Sequence, residues 1–281
     1  MVRVSLPRTW QDFAATVFLA AAIPIVFWFE IFVVIPEVFP WGSFLNNVHF
    51  IAGLFLLYNI LGNWLAVMLT DTSVRGQIFL PPADPEEARA KNWSLCSVCE
   101  SWAPPRSWHC KTCNVCIMKR DHHCLLTSCC IGHRNHRYFL MLLLHLFVAT
   151  AISAIYNTYF IWFLHGPEFK TWLSFIQIIF PMAWLAVDTS TTQYYLVIYV
   201  IAFVGSLFVG VLLYYHVRIM LEGSIVAEHE KKIRNYDMGR VGNVENVLGE
   251  RWKLVWLSPS IKSPVKHDGI HWEVIQTSKN K

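Results

Sequence analysis

The sequence predicts an all-α polytopic membrane protein, four transmembrane helices with a small cysteine-rich domain between the second and third. Three observations carry this. The 281 residues are 55% hydrophobic and only 15% charged, too apolar for one soluble domain of that length. Four stretches reach the roughly 20 mostly apolar residues that a hydrocarbon core demands. All eight cysteines fall between Cys96 and Cys130, after the second of these stretches.

In chain order, a short N-terminus (1–12) leads into a first span over 13–35, interrupted by Pro24 and Glu30. A signal peptide ending near Ala20–Ala22 is the competing reading, but the apolar run continues past those alanines, so an uncleaved helix is expected. A loop (36–48) precedes the second span, 49–69, which carries Asn59 and Asn63. These asparagines read as hydrogen-bonding groups between helices. Residues 70–137 form the cysteine-rich region, followed by the third span, 138–164. The next loop, 165–195, holds a shorter apolar stretch, 172–187, with Pro181 inside it, read as re-entrant or interfacial. The fourth span is 196–217 and the tail is 218–281. Thirteen tryptophans suit the interfaces of such a bundle.

The charges set the orientation. Of 23 Lys/Arg, 22 fall on one side of a four-span arrangement, and only Lys170 lies on the other. Basic loops stay cytosolic, so both termini and 70–137 are expected in the cytosol, with the 36–48 and 165–195 loops lumenal. Counting 172–187 as a fifth span would put the basic tail on the wrong side.

No internal repeat or low-complexity tract is read in the chain. After the second span, PPADPEEARAK predicts a short helix, with Asp84 as cap, Pro85 in the first turn and Glu87 in the capping-box position. Residues 94–136 then have too little apolar pattern to fold on a hydrophobic core. Disulfides do not persist in the cytosol, so these cysteines point to metal or to thiol chemistry rather than to a buried apolar cluster.

Counting ligands separates the two. Cys96/Cys99 and Cys110/Cys113 are Cys-x-x-Cys pairs, each able to chelate one zinc, and structural zinc takes four ligands. His109, Cys116, His123 and one of Cys129/Cys130 can complete two sites. Spacing alone does not say which ligand joins which ion. Left over are Cys124, one of the terminal cysteine pair and one histidine of the doublet. A surplus cysteine beside a histidine and an aspartate has the parts of an activated nucleophile: thiolate, base and orienting carboxylate. Such neighbours lower a thiol pKa from its free value of about 8.5. The bland alternative is a redundant ligand.

The stretch C96-x2-C99-x9-H109-C110-x2-C113-x2-C116-x4-D121-H122-H123-C124-x5-C130, continued by Gly132, Asn135 and Phe139, resembles the DHHC family of protein S-acyltransferases (palmitoyltransferases) position for position. The likeness covers the whole architecture of four spans, a cytosolic cysteine-rich loop and a basic tail. It implies that Cys96, Cys99, His109 and Cys116 hold one structural zinc and that Cys110, Cys113, His123 and Cys130 hold another. It also implies that Cys124 is the nucleophile, His122 its base and Asp121 the orienting carboxylate. The chain departs from the family pattern where Leu126 replaces the usual Trp, and Ser128 and Cys129 replace Asn. After the last span, only Glu228 of the TTxE motif is kept, in Ile225-Val226-Ala227-Glu228. NYDMGRVGNVENVLG resembles the family's C-terminal motif, with Asn243 in its place. These departures and RWKLVWLSP resemble one small subgroup of the family.

The resemblance implies a two-step exchange. Cys124 takes a long-chain acyl group from acyl-CoA (palmitoyl-CoA), and a cysteine of a membrane-associated protein then takes it from the acyl-Cys124 intermediate. Expected partners are acyl-CoA, cysteine-containing protein substrates and the bilayer, not nucleic acid, and the expected location is a Golgi or endoplasmic reticulum membrane. Arg106, Lys119, Arg120, Arg134 and Arg137 lie in the loop where CoA phosphates would arrive, though anionic lipid attracts such residues too. Phe139, Leu142, Leu146 and Ala149 share one face of the third helix, a candidate wall of the acyl-chain pocket; helix packing is the usual fate of such a stripe. Glu30 and His145 are intramembrane ionisable groups, costly and often functional. Trp252, Val255 and Trp256 would share a face if the tail is helical there, docking on the membrane or the cysteine-rich domain.

Two other function classes compete with this one. A membrane-anchored zinc module acting as adaptor or ubiquitin ligase would not place a surplus cysteine after Asp-His-His. A transporter would need more polar residues in its spans.

Overall fold

The computed structural model describes residues 6–166, 172–272 and 274. Arg3, Lys170, Lys279 and Lys281 of the charge count, and residues 167–171 of the second loop, lie outside the described residues. Among the described residues, four helices are long and apolar enough to cross a membrane: α1 (Trp10–Val38), α2 (Phe44–Leu69), α4 (His136–Leu164) and α7 (Thr191–Leu221). Each starts two to five residues before the expected span; α2 and α4 end at the expected residues, while α1 and α7 run three and four residues further. Between α2 and α4 lie the short helix α3 (Pro85–Ala90) and six three-residue strands. Asp84 caps α3 by accepting from Glu86 N at 3.0 Å, while the Glu87 carboxylate turns to Lys91. Between α4 and α7, the 172–187 stretch folds as two short helices, α5 (Trp172–Ile179) and α6 (Pro181–Trp184).

The chain divides into two compact units. One comprises Ala20–Ile60 and Leu143–Leu213. Its core is built from Phe29, Val34, Phe160, Ile161 and Leu196. Glu30 opens a π-helical stretch of α1, and Phe160–Leu164 is π-helical in α4. The Glu30 carboxylate accepts from Ser153 Oγ at 2.5 Å and from the Asn157 amide. In the membrane interior a carboxyl group needs such donors, so Glu30 is committed locally. Asn59 donates to the Phe55 carbonyl one turn back on α2, and His145 packs edge-on against Phe55.

The other unit comprises the chain up to Leu19, Leu61–Leu142 and the chain from Tyr214 onward. Its centre is three successive antiparallel hairpins: β1 (Ser94–Cys96) with β2 (Ser101–Ala103), β3 (Trp108–Cys110) with β4 (Val115–Ile117), and β5 (His122–Cys124) with β6 (Cys129–Ile131). They form a repeat that the sequence reading did not find. Cys96, Cys110 and Cys124 each end a first strand, 14 residues apart. The residue four positions later in each turn, Glu100, Asn114 or Ser128, has a positive φ of 48°, 47° or 53°. The repeat is hidden because only geometry and ligands recur, while the intervening side chains differ.

The tail packs in the same unit. After α7 come α8 (Val226–Glu230) and α9 (Gly239–Leu248). Asn243 ties the end of α7 to the tail: its side-chain amide donates to Leu221 O at 2.9 Å and its carbonyl accepts from Met238 N at 2.9 Å. The expected helical face over 252–256 is not α-helical. Residues 250–257 are successive turns, with i→i−3 bonds such as Leu254 N to Arg251 O at 2.9 Å; Val255 is buried and Trp256 exposed. Gly249, with φ of 82° just before this stretch, ends α9 and starts the turns.

Candidate active site and metal centres

The hairpins sort the ligands. Cys96 and Cys99 at the first hairpin gather with His109 and Cys116, which are cross-strand partners in β3 and β4. Cys110 and Cys113 at the second hairpin gather with His123 and Cys130, cross-strand partners in β5 and β6. The first hairpin thus gives its tip to the first set, the second gives its strand pair to that set and its tip to the next, and the third gives its strand pair to the second set. Within each set the candidate ligand atoms lie within 4.8 Å of one another; Cys99 Sγ is 3.3 Å from His109 Nδ1, and Cys113 Sγ is 3.3 Å from His123 Nδ1. Three soft thiolates and an imidazole at these separations fit tetrahedral zinc. His123 also has the outer partner that metal-bound histidines use: its Nε2 donates to Asp12 Oδ1 at 3.0 Å. Asp12 itself is fixed in a capping box with Thr9 at the start of α1.

Strand alternation resolves the histidine doublet. Successive side chains along a strand point to opposite faces. His123 and Cys130 therefore share the metal face, and His122, Cys124, Cys129 and Ile131 share the other. Cys124 occupies the position of Cys96 and Cys110 in the repeat, but the residue three further on is Thr127, not a second cysteine. The tip has no chelating pair. The Thr127 hydroxyl instead touches both thiols, at 3.5 Å from Cys129 Sγ and hydrogen-bonded to Cys124.

On this face Asp121 is fully enclosed. Its Oδ2 accepts from His122 Nδ1 at 2.8 Å, and its Oδ1 accepts from Val226 N at 3.0 Å. His122 in turn hydrogen-bonds Cys124. Burial opposes charge on all three, and their mutual contacts outweigh it. Asp121 is held well below the usual carboxylate range, chiefly by the His122 hydrogen bond. His122 is pushed up to about 9 by the Asp121 carboxylate and the Cys124 sulfur. The Cys124 thiol is lowered by its hydrogen bond to His122 and by its charge. These shifts all act in the direction of a thiolate–imidazolium pair beside a carboxylate. Phe139 packs edge-on against the His122 ring, centroids 5.0 Å apart.

The surroundings hold this geometry. Asn135 accepts from Gly132 N at 2.8 Å and donates to Cys130 O and to Val67 O, bracing the third hairpin on α2. A Cβ at Gly132 would lie 2.6 Å from Met118 O, so only glycine fits there. Trp64 on α2 donates to Leu126 O at 2.9 Å. Glu228 anchors α8: its carboxylate accepts from Arg106 Nε at 2.9 Å and Nη2 at 2.6 Å, and from Ile225 N at 3.1 Å. Arg106 also stacks over the Tyr236 and Trp272 rings, both at 4.4 Å. Of the five basic residues marked in the sequence, Arg106 and Lys119 are buried, Arg120 and Arg137 half-buried, and Arg134 exposed. Arg137 donates to Ser263 O at 2.9 Å, and Arg120 hydrogen-bonds Cys130. In the α4 stripe, Phe139, Leu142 and Leu146 are buried and Ala149 half-buried.

Sequence reasoning missed Asp12, Thr127 and the Val226 amide. Thr9-x-x-Asp12 was legible as a helix cap, but nothing in the chain linked it to His123. Thr127 becomes legible once the 14-residue spacing is counted.

The architecture and site define a class, and comparison with known proteins agrees. Residues 89–233 match the DHHC palmitoyltransferase family; the chain belongs to that family and is a protein S-palmitoyltransferase of the membrane. Similar proteins include Probable palmitoyltransferase ZDHHC24 of Homo sapiens, 32% identical over 249 residues (83% of this chain, 81% of the relative). The proteins of that name from Mus musculus and Danio rerio are 31% and 33% identical, each over 83% of this chain and over 81% and 78% of the relative. Nothing in these matches supports the adaptor or ubiquitin-ligase reading.

Proposed function

We propose that Cys124 is the nucleophile of a two-step acyl exchange from long-chain acyl-CoA to cysteines of membrane-associated proteins. The Asp121–His122–Cys124 relay on the metal-free face of the third hairpin carries this reading. The Cys124 thiolate attacks the thioester carbonyl, the new S–acyl bond forms, and the bond to CoA sulfur breaks. His122, carrying the thiol proton, gives it to the departing CoA thiolate. In the second step neutral His122 takes a proton from the incoming protein thiol, whose sulfur displaces Cys124 as thiolate. Both steps exchange one thioester for another, so positioning and proton transfer are what the protein supplies.

Two zinc ions would be held by Cys96, Cys99, His109 and Cys116, and by Cys110, Cys113, His123 and Cys130; their contribution is structural. Arg134, exposed and two residues before α4, would meet the CoA phosphates, with Arg120 and Arg137 beside it. Arg106 and Lys119 are buried. The acyl chain would run along Phe139, Leu142, Leu146 and Ala149. Ala149→Tyr is then expected to shorten the preferred acyl chain in a competition among acyl-CoAs, and an unchanged preference removes the stripe from the pocket. The gathering of the N-terminal residues, the hairpins and the tail in one unit supports a cytosolic side carrying all three, in a Golgi or endoplasmic reticulum membrane.

The test uses purified protein and labelled palmitoyl-CoA. Wild type is expected to take up hydroxylamine-labile label, and Cys124→Ser to take up none while keeping its zinc. Equal labelling of both proteins refutes the assignment.

A further inference from the structure

We propose that Asp121, His136 and His216 form a third divalent-cation site, of the zinc class, whose occupation silences the Cys124 relay. The three side chains come from the start of the third hairpin, the first residue of α4 and the last turns of α7, all within one unit. Their candidate ligand atoms lie within 4.8 Å of one another, and the residues are 4%, 1% and 5% exposed.

Three ring nitrogens here, both of His136 and Nδ1 of His216, are buried and make no hydrogen bond. A buried polar atom without a partner is costly, and one such atom asks for an explanation; three converging on one carboxylate ask for a shared one. The separations point to an ion. His216 Nδ1 is 3.5 Å from Asp121 Oδ2, too far for a normal hydrogen bond. Two nitrogen or oxygen ligands at about 2.05 Å from a tetrahedral ion stand about 3.3 Å apart. The two Cys/His sets show this spacing, with Cys113 Sγ 3.3 Å from His123 Nδ1 and 3.7 Å from Cys130 Sγ. Two imidazoles and one carboxylate leave a fourth position open, the pattern of a non-structural zinc site.

The site shares its carboxylate with the relay. Asp121 Oδ2 also accepts from His122 Nδ1 at 2.8 Å. A cation on that oxygen takes over the acceptor that orients the His122 ring, so the imidazole is no longer held toward Cys124. Lys119, buried beside His136, opposes a cation there. That opposition suits reversible, regulatory occupation rather than a permanent structural ion.

Metal binding is measured in Cys124→Ser protein carrying its two structural zinc ions, titrated with Co2+. This removes the one uncommitted thiolate of the relay and makes the readout independent of acyl transfer. The inhibitory half of the proposal rests on the relay assigned above; the metal count does not. We expect one further Co2+ per chain with d–d absorption and no sulfur-to-cobalt charge transfer. His136→Phe and His216→Phe, each in that background and each shown to retain two zinc ions, are expected to lose it. In protein with Cys124 intact, the same occupancy should slow self-acylation roughly tenfold or more, reversed by brief chelation. The proposal is overturned by the absence of a further ion, by a sulfur charge-transfer band on it, or by undiminished binding in both histidine variants.

Discussion

Asp12 stands in the first turn of α1, yet its carboxylate serves His123. Outer partners of this kind fix the imidazole and raise its basicity, and losing one typically costs about 10–100-fold in metal affinity. Asp12→Asn is accordingly expected to release one zinc to a competing chelator at a concentration roughly tenfold or more below wild type, while the other ion stays. Thr127 makes a different contribution. Thr127→Val keeps the shape and removes a hydrogen bond to Cys124 worth about 1 kcal/mol, so self-acylation should slow by about fivefold with zinc content unchanged. Lys119 tests the cost of a buried charge. Burial holds its amine down, to about 7. The unfolded chain therefore binds the extra proton between about pH 7 and 10.4, and stability rises with pH across that window. Lys119→Met is expected to melt several degrees higher than wild type at pH 7, with the gap closing as pH approaches 10.

At the scale of elements, the relay depends on a helix that the sequence made look dispensable. Only Glu228 survives of the TTxE motif, yet α8 still docks, because Glu228 engages Arg106 and the Val226 amide then reaches Asp121. A backbone donor needs no particular side chain, which is why its presence was not legible. Removing one partner of a buried ion pair typically costs about 3–5 kcal/mol. Glu228→Ala should therefore lower the melting temperature and slow self-acylation together, and Glu228→Ala with Arg106→Met should recover more of the melting temperature than of the rate. Legibility at this scale followed the physics. Ligand types and their spacing pointed to two four-ligand sets, which the structure gathers, and to a cysteine outside both. The division of His122 from His123 needed strand alternation, and three-residue strands are too short to leave an apolar pattern in the chain. The tryptophans at 252 and 256 suggested an amphipathic helix, but the stretch folds into turns, where i→i−3 bonding replaces the expected ladder.

For the molecule as a whole, the four spans were visible because lipid selects composition over long stretches, and their helices started a few residues earlier than expected. The meeting of the N-terminus, the tail and residues 61–142 in one unit was not visible, since contacts such as Asp12–His123 and Arg106–Glu228 join residues 111 and 122 positions apart. Metal removal should expose this division. Prolonged chelation is expected to abolish self-acylation and open residues 94–131 to trypsin, while far-ultraviolet circular dichroism keeps most of its helical signal; simultaneous loss of both would mean that the spans also depend on the ions. The 14-residue spacing of the hairpins carries a further consequence. Each module borrows two ligands from its successor, and the last has no successor to borrow from. With the role proposed for Cys124, chemistry occupies the open end of a ladder, and grafting a fourth rung after Ile131, with cysteine at position 127, is expected to turn the catalyst into an inert three-ion scaffold.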